Sequence, residues 1–459
     1  MTRNVVLLVL DTVRKDVFDE RATGIRERSS VSFDRAYAPS SWTVPSHASM
    51  FTGRLPHDHG VHAHNPSYDG LSVGDTFLSE IPHRPVAASA NSFLSERFGF
   101  GGWFEEFTHL HGNEELLPGG VDTAEFMEET DAAGLSRYVS YLRTAAAESA
   151  LVPSLVNAAY LKLNNAALGR PVPRFGDYGA RATLRAGRRR AVGEEPFFLF
   201  LNVVDAHAPH EVLRSYDTDV PKSWTSREHD VWDVNVRGPD QFPEYLDRFT
   251  ELYGCAVEYL DRRVCQFLDR LREGTDRETT VIVTADHGEE LGRSSERTLG
   301  HKIPSAAVTH VPLEVLNPPE AWAEETVEGV VSLLDIGRLV AGVTEADRPS
   351  ITREVAPTER LGDTHPPEDR REFWNRGIRV AYTDGESYEW DTFGARNRYT
   401  VERSSERLVD DDVTPPTVAT DQYSVDIDTA KRDAVAGEDR LSATVGEHTR
   451  DRLEDLGYM

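Results

Sequence analysis

The stretch Val5-Val6-Leu7-Leu8-Val9-Leu10, closed by Asp11, is an unbroken apolar run with no alternation of polar and apolar positions. A strand with one wet face alternates, so a continuous run belongs to a strand covered on both faces, as in a parallel sheet between two helix layers. Val86–Ala90, Phe197–Val203, Thr280–Thr284 and Val311–Leu316 repeat the pattern. Between them, Arg248–Arg272 places Leu252, Ala256, Tyr259, Leu260, Val264, Phe267 and Leu271 on one stripe, the period of an amphipathic helix. Alternating elements of these two kinds predict an α/β fold with a doubly wound, mostly parallel sheet. Such sheets bind ligands beyond the carboxyl ends of their strands. The polar residues that end the runs are therefore candidates for chemistry: Asp11, then Asp205 and His207, then Asp286 and His287.

A chain of 459 residues exceeds one small domain. Residues 1–344 are expected to form the catalytic α/β domain, and residues 345–459 a small C-terminal α+β subdomain. Within the first, the Ala-rich segments Thr144–Ala150 and Leu155–Leu168 predict a helical insertion over about 103–195. The five arginines within Arg181–Arg190 read as a solvated helix face, with recruitment of an anionic substrate as the alternative. In the C-terminal part, Gly377–Thr383, Glu386–Phe393 and Asn397–Val401 have the pattern of short antiparallel strands, Asp410–Asp412 that of a loop, and Arg450–Leu456 that of an amphipathic helix.

Asp and Glu total 78 against 50 Lys and Arg, a formal charge of −28, which argues against nucleic acid as a partner. Only five of the basic residues are lysine. An acidic surface with so little lysine points to a salt-rich, halophilic setting, where counterions screen self-repulsion. Melting temperature and initial rate are therefore expected to rise together from about 0.1 M to molar KCl. A flat or falling melting temperature across that range would assign the acidic surface to a cationic partner instead. Cys255 and Cys265 fit neither a disulfide framework nor a metal knuckle. The opening apolar run is too short for a secretory or spanning segment, and no later one reaches about 18 residues, so the expectation is a cytoplasmic protein without an integral membrane segment.

Three separated segments assemble a metal-and-nucleophile constellation. Asp11 ends the first strand. Pro45 and Ser46 open a helix running toward Thr52, with Ser46 as its expected cap and Thr43 just ahead of its amino terminus, where partial positive charge favours an anion. Val281-Ile282-Val283-Thr284-Ala285 is a buried strand that ends in Asp286-His287-Gly288-Glu289.

These segments resemble the sulfatase family of the alkaline phosphatase superfamily. Thr43-Val44-Pro45-Ser46-His47 with Thr52-Gly53-Arg54 lies over that family's Cys/Ser-x-Pro-Ser-Arg signature and its following Thr-Gly-Arg. Phe197–Asn202 leading to His207-Ala208-Pro209-His210, Thr284–Gly288, Gly300-His301-Lys302 with His310–Leu313, and the ending Leu453–Tyr458 are similar to further family segments. Two departures stand out. Sulfatases oxidise the signature Cys or Ser to an aldehyde, which Thr43 cannot become, and His47 replaces the signature arginine. A threonine lacks the second geminal hydroxyl that expels sulfate from the aldehyde hydrate. It suits in-line attack on phosphorus, as in Thr-nucleophile relatives.

The resemblance implies a metal-dependent hydrolase or transferase of phosphate or sulfate esters, with a role in surface glycan or envelope polymer modification and a sugar- or lipid-linked anionic ester as substrate. Asp11, Asp286, His287 and Thr43 are the expected ligands of one divalent ion, Mn²⁺, Mg²⁺, Zn²⁺ or Ca²⁺. A second ion on Asp205, His207 and His301, as in two-metal phosphodiesterases, is the less favoured arrangement. With one ion, His207, His301 and Lys302 bind the transferring group and one of them protonates the leaving group. His47 and Asn91 are candidate substrate contacts. The alternative from another class is a catalytically silent scaffold. His57, His59, His62 and His64 read as a structural loop, and Ser72 within Gly70–Gly74 as a helix cap before Thr76–Ile81.

Overall fold

The computed structural model of the chain describes residues 2–110, 120–121, 126, 130, 134–167, 172–193, 195–272, 275–292, 298–323, 325–363 and 366–436. Its strands in chain order are β1 Asn4–Leu10, β2 Ser29–Tyr37, β3 Arg84–Ser89, β4 Glu106–His109, β5 Phe197–Val203, β6 Thr279–Thr284, β7 Glu290–Leu291, β8 Leu299–Gly300, β9 His310–Val311, β10 Leu313–Leu316, β11 Glu325–Ser332, β12 Thr352–Arg353, β13 Ala356–Leu361, β14 Gly377–Tyr382, β15 Glu386–Asp391, β16 Arg396–Glu402 and β17 Ser405–Asp410.

The central sheet runs β12-β11-β2-β10-β6-β1-β5-β3-β4, with β9 paired to β2. β1 lies in its middle, parallel to β5 and β6, and every residue of β1 and β5 is buried, as the unbroken runs require. Helices Pro243–Arg272 and Ala180–Arg190 pack on each other and the second on β3 and β5, whereas helices Thr43–Thr52 and Ile336–Glu345 pack together with the second on β1. The sheet is thus mixed but mostly parallel, as expected. β10 departs from the expectation, because it runs antiparallel to both β6 and β2. The described part of the connection from β6 holds only a four-residue helix, Ala306–Thr309, too short for a crossover, so the chain turns back. Pro312, which lacks an N–H, also splits the predicted Val311–Leu316 run into β9 and β10.

Register places the site. Val9 lies opposite Asn202 and Thr284, and Leu10 opposite Val203, so β1, β5 and β6 end at one level and deliver Asp11, Asp205–His207 and Asp286–His287 to one rim. The long helix begins at Pro243, earlier than its apolar stripe indicated. Helices Leu135–Ala147 and Leu151–Ala167 occupy the expected insertion, parts of which lie outside the described residues. Arg190 pairs with Glu106, and the exposed Arg188 and Arg189 share its last helical turn at the amino end of β4. That is the rim opposite the one to which Asp11 and Asp286 belong, so the solvated-face reading fits these three arginines, while Arg181, at the other end of the helix, pairs with Asp177.

After β12, β13 to β17 form an antiparallel meander. Three of its strands match the expected ones. β13 was not foreseen, because Glu359 and Arg360 give it a polar sequence although all six of its residues are buried. Glu359 is held from two sides: Arg379 donates to it at 2.8 Å and His57 Nδ1 lies at 2.9 Å. Asp410 ends β17, paired to Arg398, and the expected loop begins one residue later, at Asp411. The helix expected at Arg450–Leu456 and the motif ending at Tyr458 lie outside the described residues. Among the described residues, no helix is long and apolar enough to cross a membrane.

Candidate active site

β1 ends in a tight turn, with Val13 N–H donating to Leu10 O at 3.3 Å. Thr12 in that turn has φ 62°, the left-handed region, which costs a β-branched residue of order 1–3 kcal/mol and persists only where its surroundings over-determine it. Thr12 N–H donates to Asp286 Oδ1 at 3.2 Å, and its hydroxyl to Asp11 O at 2.6 Å. Tyr253 Oη, from the long helix, donates to Thr12 O at 2.7 Å and accepts from Arg14 N–H at 2.9 Å. The strained turn is thus clamped, and it ties the end of β1 to the end of β6.

The helix Thr43–Thr52 opens at Thr43 itself, after an extended Trp42, and closes at Gly53, whose φ of 66° suits a residue without Cβ. Ser46 is therefore inside the first turn and not the cap. Its hydroxyl donates to Asp286 O at 2.6 Å, pinning the helix to the end of β6. Beyond Asp286 and His287, Gly288 is required by close approach, since a Cβ there would fall 2.4 Å from Ala307 O.

Asp11, Asp286 and His287 come together with ligand-type atoms all within 4.8 Å of one another, the one such group among the described residues. All three are fully buried. Asp11 Oδ1 and Asp286 Oδ2 have no hydrogen-bond partner, an arrangement that is costly for carboxylates unless a cation sits between them. The other oxygens are committed: Asp11 Oδ2 accepts from Asn91 Nδ2 at 2.8 Å and Asn202 Nδ2 at 3.5 Å, and Asp286 Oδ1 accepts from His287 N–H at 3.0 Å. His287 Nδ1 lies 2.8 Å from Gly288 O, which sets Nδ1 as the protonated nitrogen and presents the lone pair of Nε2. Thr43 Oγ1 lies 3.4 Å from that Nε2 and hydrogen-bonds the Asp286 carboxylate. Orphaned hard oxygens beside one imidazole nitrogen and a hydroxyl fit a divalent cation.

Electrostatics agree with that fit. Burial raises the Asp286 carboxyl to about 7. Burial, and then the neighbouring Asp286 charge, raises Asp11 to about 6. Desolvation holds the His287 imidazole below its ordinary value, so it is a neutral donor.

The remaining predicted residues fall around this centre. The His301 ring lies 4.9 Å from that of His287 and 5.6 Å from that of His207, and burial lowers the pKa of both His301 and His207. Lys302 Nζ, also lowered by burial, is 3.7 Å from Asp363 and 4.4 Å from the centre of the Trp232 ring. His47 Nδ1 hydrogen-bonds Thr43 O at 2.8 Å and lies 3.6 Å from Asp286 Oδ2, while burial depresses its pKa to about 3. It is a neutral brace beneath Thr43, not a cation. Asn91 binds Asp11, which makes it a support for the carboxylate in this structure. Both oxygens of Asp205 are engaged by backbone: Oδ1 accepts from Tyr178 N–H and Oδ2 from Ala180 N–H, both at 3.0 Å, capping the helix Ala180–Arg190.

Other motifs resolve into scaffolding. His57 bonds Glu359, His59 bonds Ser49 and His64 bonds Lys431, and none of the four loop histidines joins a metal-type group among the described residues. Ser72 is exposed and forms a capping box with Asp75 for a short 3₁₀ turn, Val73–Asp75, one turn earlier than expected. Sequence reasoning missed Thr12, Asn202, Tyr253, Glu289, Arg360 and Asp363. Glu289 was legible in principle, since it sits two residues beyond His287; burial raises its carboxyl to about 8.

Comparison with known proteins follows the same line. The solved phosphonate monoester hydrolases of Silicibacter pomeroyi and Agrobacterium radiobacter align with TM-scores of 0.58 and 0.57, each at 16% identity. The alignments cover 84% of this chain and 87% of the first, and 87% of this chain and 89% of the second. A 2-O GAG sulfatase aligns with a TM-score of 0.52 at 14% identity, covering 87% of this chain and 85% of its own. At such identities the likeness speaks to the fold. No curated protein sequence matches the chain. The family model for Sulfatase matches residues 3–346, the stretch that carries the whole rim from Asp11 to Lys302, and the chain belongs to the sulfatase family.

Proposed function

We propose that the protein is a one-metal hydrolase or transferase of anionic esters, phosphate or phosphonate in preference to sulfate, with Thr43 as nucleophile. The observation that carries this reading is the placement of an unmodifiable threonine hydroxyl against Asp286 and His287, where two buried carboxylate oxygens are orphaned. Asp11, Asp286, His287 and Thr43 would hold one divalent ion, which when bound lowers the pKa of a coordinated hydroxyl and offsets negative charge. The engagement of both Asp205 oxygens by backbone N–H groups speaks for one ion over two. Residues 1–344 carry the chemistry in this reading, with residues 345–459 as a C-terminal subdomain.

The chain's own groups then divide the work. The hydroxyl proton of Thr43 passes to His207 or His301, which burial keeps neutral, or to solvent, and Thr43 Oγ attacks phosphorus in line as the ester oxygen departs, so one P–O bond forms and one breaks. The departing alkoxide takes a proton from His207, His301 or Lys302, and water or an acceptor hydroxyl later cleaves the Thr43 ester and returns a proton to that group. Neutral His47 holds the Thr43 carbonyl and brings no charge to the transferring group. A substrate drawn from surface glycans or envelope polymers, turnover in the cytoplasm and a salt-rich setting belong to the same proposal; among them, only the salt dependence rests on the composition of this chain.

The test is a leaving-group series. Loss of the proton donor should slow esters of poor alkoxide leaving groups by about 10²-fold or more, yet spare nitrophenyl esters, whose departure needs no proton. Rates for His207→Ala, His301→Ala and Lys302→Ala across the series identify the donor. Equal losses across the series in all three variants would remove that role from each of them, and turnover of sulfate esters above phosphate and phosphonate esters by the unaltered protein would reverse the substrate preference.

A further inference from the structure

β13 and the residues just after it carry two buried charges from the C-terminal sheet to the catalytic rim. Arg360 is 4% exposed and Asp363 6% exposed, so each must find its partners within the protein. Arg360 Nη2 donates to Asp363 Oδ2 at 2.6 Å. Its Nη1 donates to Ser41 Oγ at 2.9 Å and to His301 O at 3.2 Å. The same Asp363 oxygen lies 3.7 Å from Lys302 Nζ, and Asp363 N–H is fixed by Asn375 Oδ1 at 3.1 Å. One ion pair therefore touches the segment two residues before Thr43, the backbone of His301 and the ammonium of Lys302.

Two cations, Arg360 and Lys302, face the same Asp363 carboxylate, and Arg360 adds a second fixed positive charge beside the ammonium. The guanidinium lies at the catalytic rim itself, since its Nη1 donates to the carbonyl of His301. The Thr43 segment itself contributes no cation, because His47 is neutral. A planar guanidinium also fixes three partners in one geometry, which an ammonium cannot do.

We propose that Arg360, paired with Asp363, is a positioning residue lent by the C-terminal sheet: it fixes His301 and Lys302 against Thr43 and supplies the positive charge that favours an anionic ester there. This rests on the functional reading above as to the kind of ester. The experiment uses the full chain with its divalent ion and compares Arg360→Ala, Arg360→Lys and Asp363→Asn with the unaltered protein. It measures calorimetric binding of inorganic phosphate, turnover of a nitrophenyl phosphodiester, melting temperature, and rescue by added guanidinium.

Arg360→Ala should bind phosphate at least about tenfold more weakly and recover part of its turnover with guanidinium, which a lost packing contact would not allow. Arg360→Lys keeps the charge and loses the fork, so it should bind phosphate within about threefold of the unaltered protein but turn over about tenfold more slowly. Asp363→Asn should slow turnover while leaving phosphate binding equal or tighter. If Arg360→Ala does not fold, the Lys and Asn variants decide in its place: unaltered phosphate binding and turnover in both would overturn the proposal. A folded Arg360→Ala that matches the unaltered protein would also overturn it, as would an unaltered protein that binds no phosphate. A protein that binds phosphate in an Arg360-dependent way but turns over no ester would instead refute the enzymatic reading and leave this one standing.

Discussion

Replacing Thr43 by alanine is expected to cut turnover by at least about 10³-fold while divalent-ion affinity falls by no more than roughly tenfold. The asymmetry follows from what the side chain does. Asp11, Asp286 and His287 remain in place without it, and their own supports, Asn91, the strained Thr12 turn and the Gly288 carbonyl, do not involve Thr43. Of the described serines nearest Thr43, Ser46 spends its hydroxyl on Asp286 O and Ser41 accepts from Arg360, so neither takes over the covalent route. Thr43→Ser, which keeps an oxygen at the same position, should retain far more activity than Thr43→Ala. Intact-mass measurement on protein quenched during turnover should find the phosphoryl-type adduct in the unaltered chain and in the serine variant, and none in the alanine variant. Near-normal turnover by Thr43→Ala would transfer the nucleophile's role to water and end the covalent mechanism.

How much of this was legible in the sequence depended on whether the signal was local. A covered strand announces itself by an unbroken apolar run, so β1, β3, β5 and β6 could be read directly, and Asp11, Asp286 and His287 followed as the polar residues at their ends. Strand direction is not in such a run. β10 looks like its parallel neighbours and runs the other way because of what the connection before it lacks. β13 was hidden for the opposite reason: its buried Glu359 and Arg360 make it look like surface, and they are tolerable only through Arg379, His57 and Asp363. Thr12 gave no local hint of a left-handed backbone, since its restraint comes from Tyr253, more than two hundred residues away. Ser46 was misplaced by one turn because capping residues and helix-interior serines share a composition, and only the partner at Asp286 O distinguishes them. Asn91 and His47 were both assigned toward substrate, whereas the structure turns the first to Asp11 and the second to the Thr43 backbone.

Removing Asp286 tests the centre itself, and Asp286→Ala is expected to weaken divalent-ion binding by at least about 100-fold and to abolish turnover. It deletes one of the two orphaned oxygens and the acceptor of both the Thr12 and Thr43 hydrogen bonds. The ion-free protein carries a second signature. Burial raises Asp286 to about 7 and Asp11 to about 6, both above the ordinary carboxyl value of 3.8. A raised folded-state pKa means that the folded chain holds protons the unfolded chain has released. That contribution to stability is complete below about pH 4 and is lost as pH rises through 6 to 7, at about 1.4 kcal/mol per pH unit for each proton. The ion-free protein should therefore melt at lower temperature at pH 8 than at pH 5.5. A divalent ion binds the ionised carboxylates and displaces the protons, so the stabilisation it confers should grow over the same interval. In Asp286→Ala both the fall without metal and the gain with it should shrink together. Melts with and without Mn²⁺ at pH 5.5, 7 and 8, paired with metal stoichiometry, make the comparison. A metal-induced shift independent of pH, or full stoichiometry in the variant, would place the ion elsewhere than between Asp11 and Asp286.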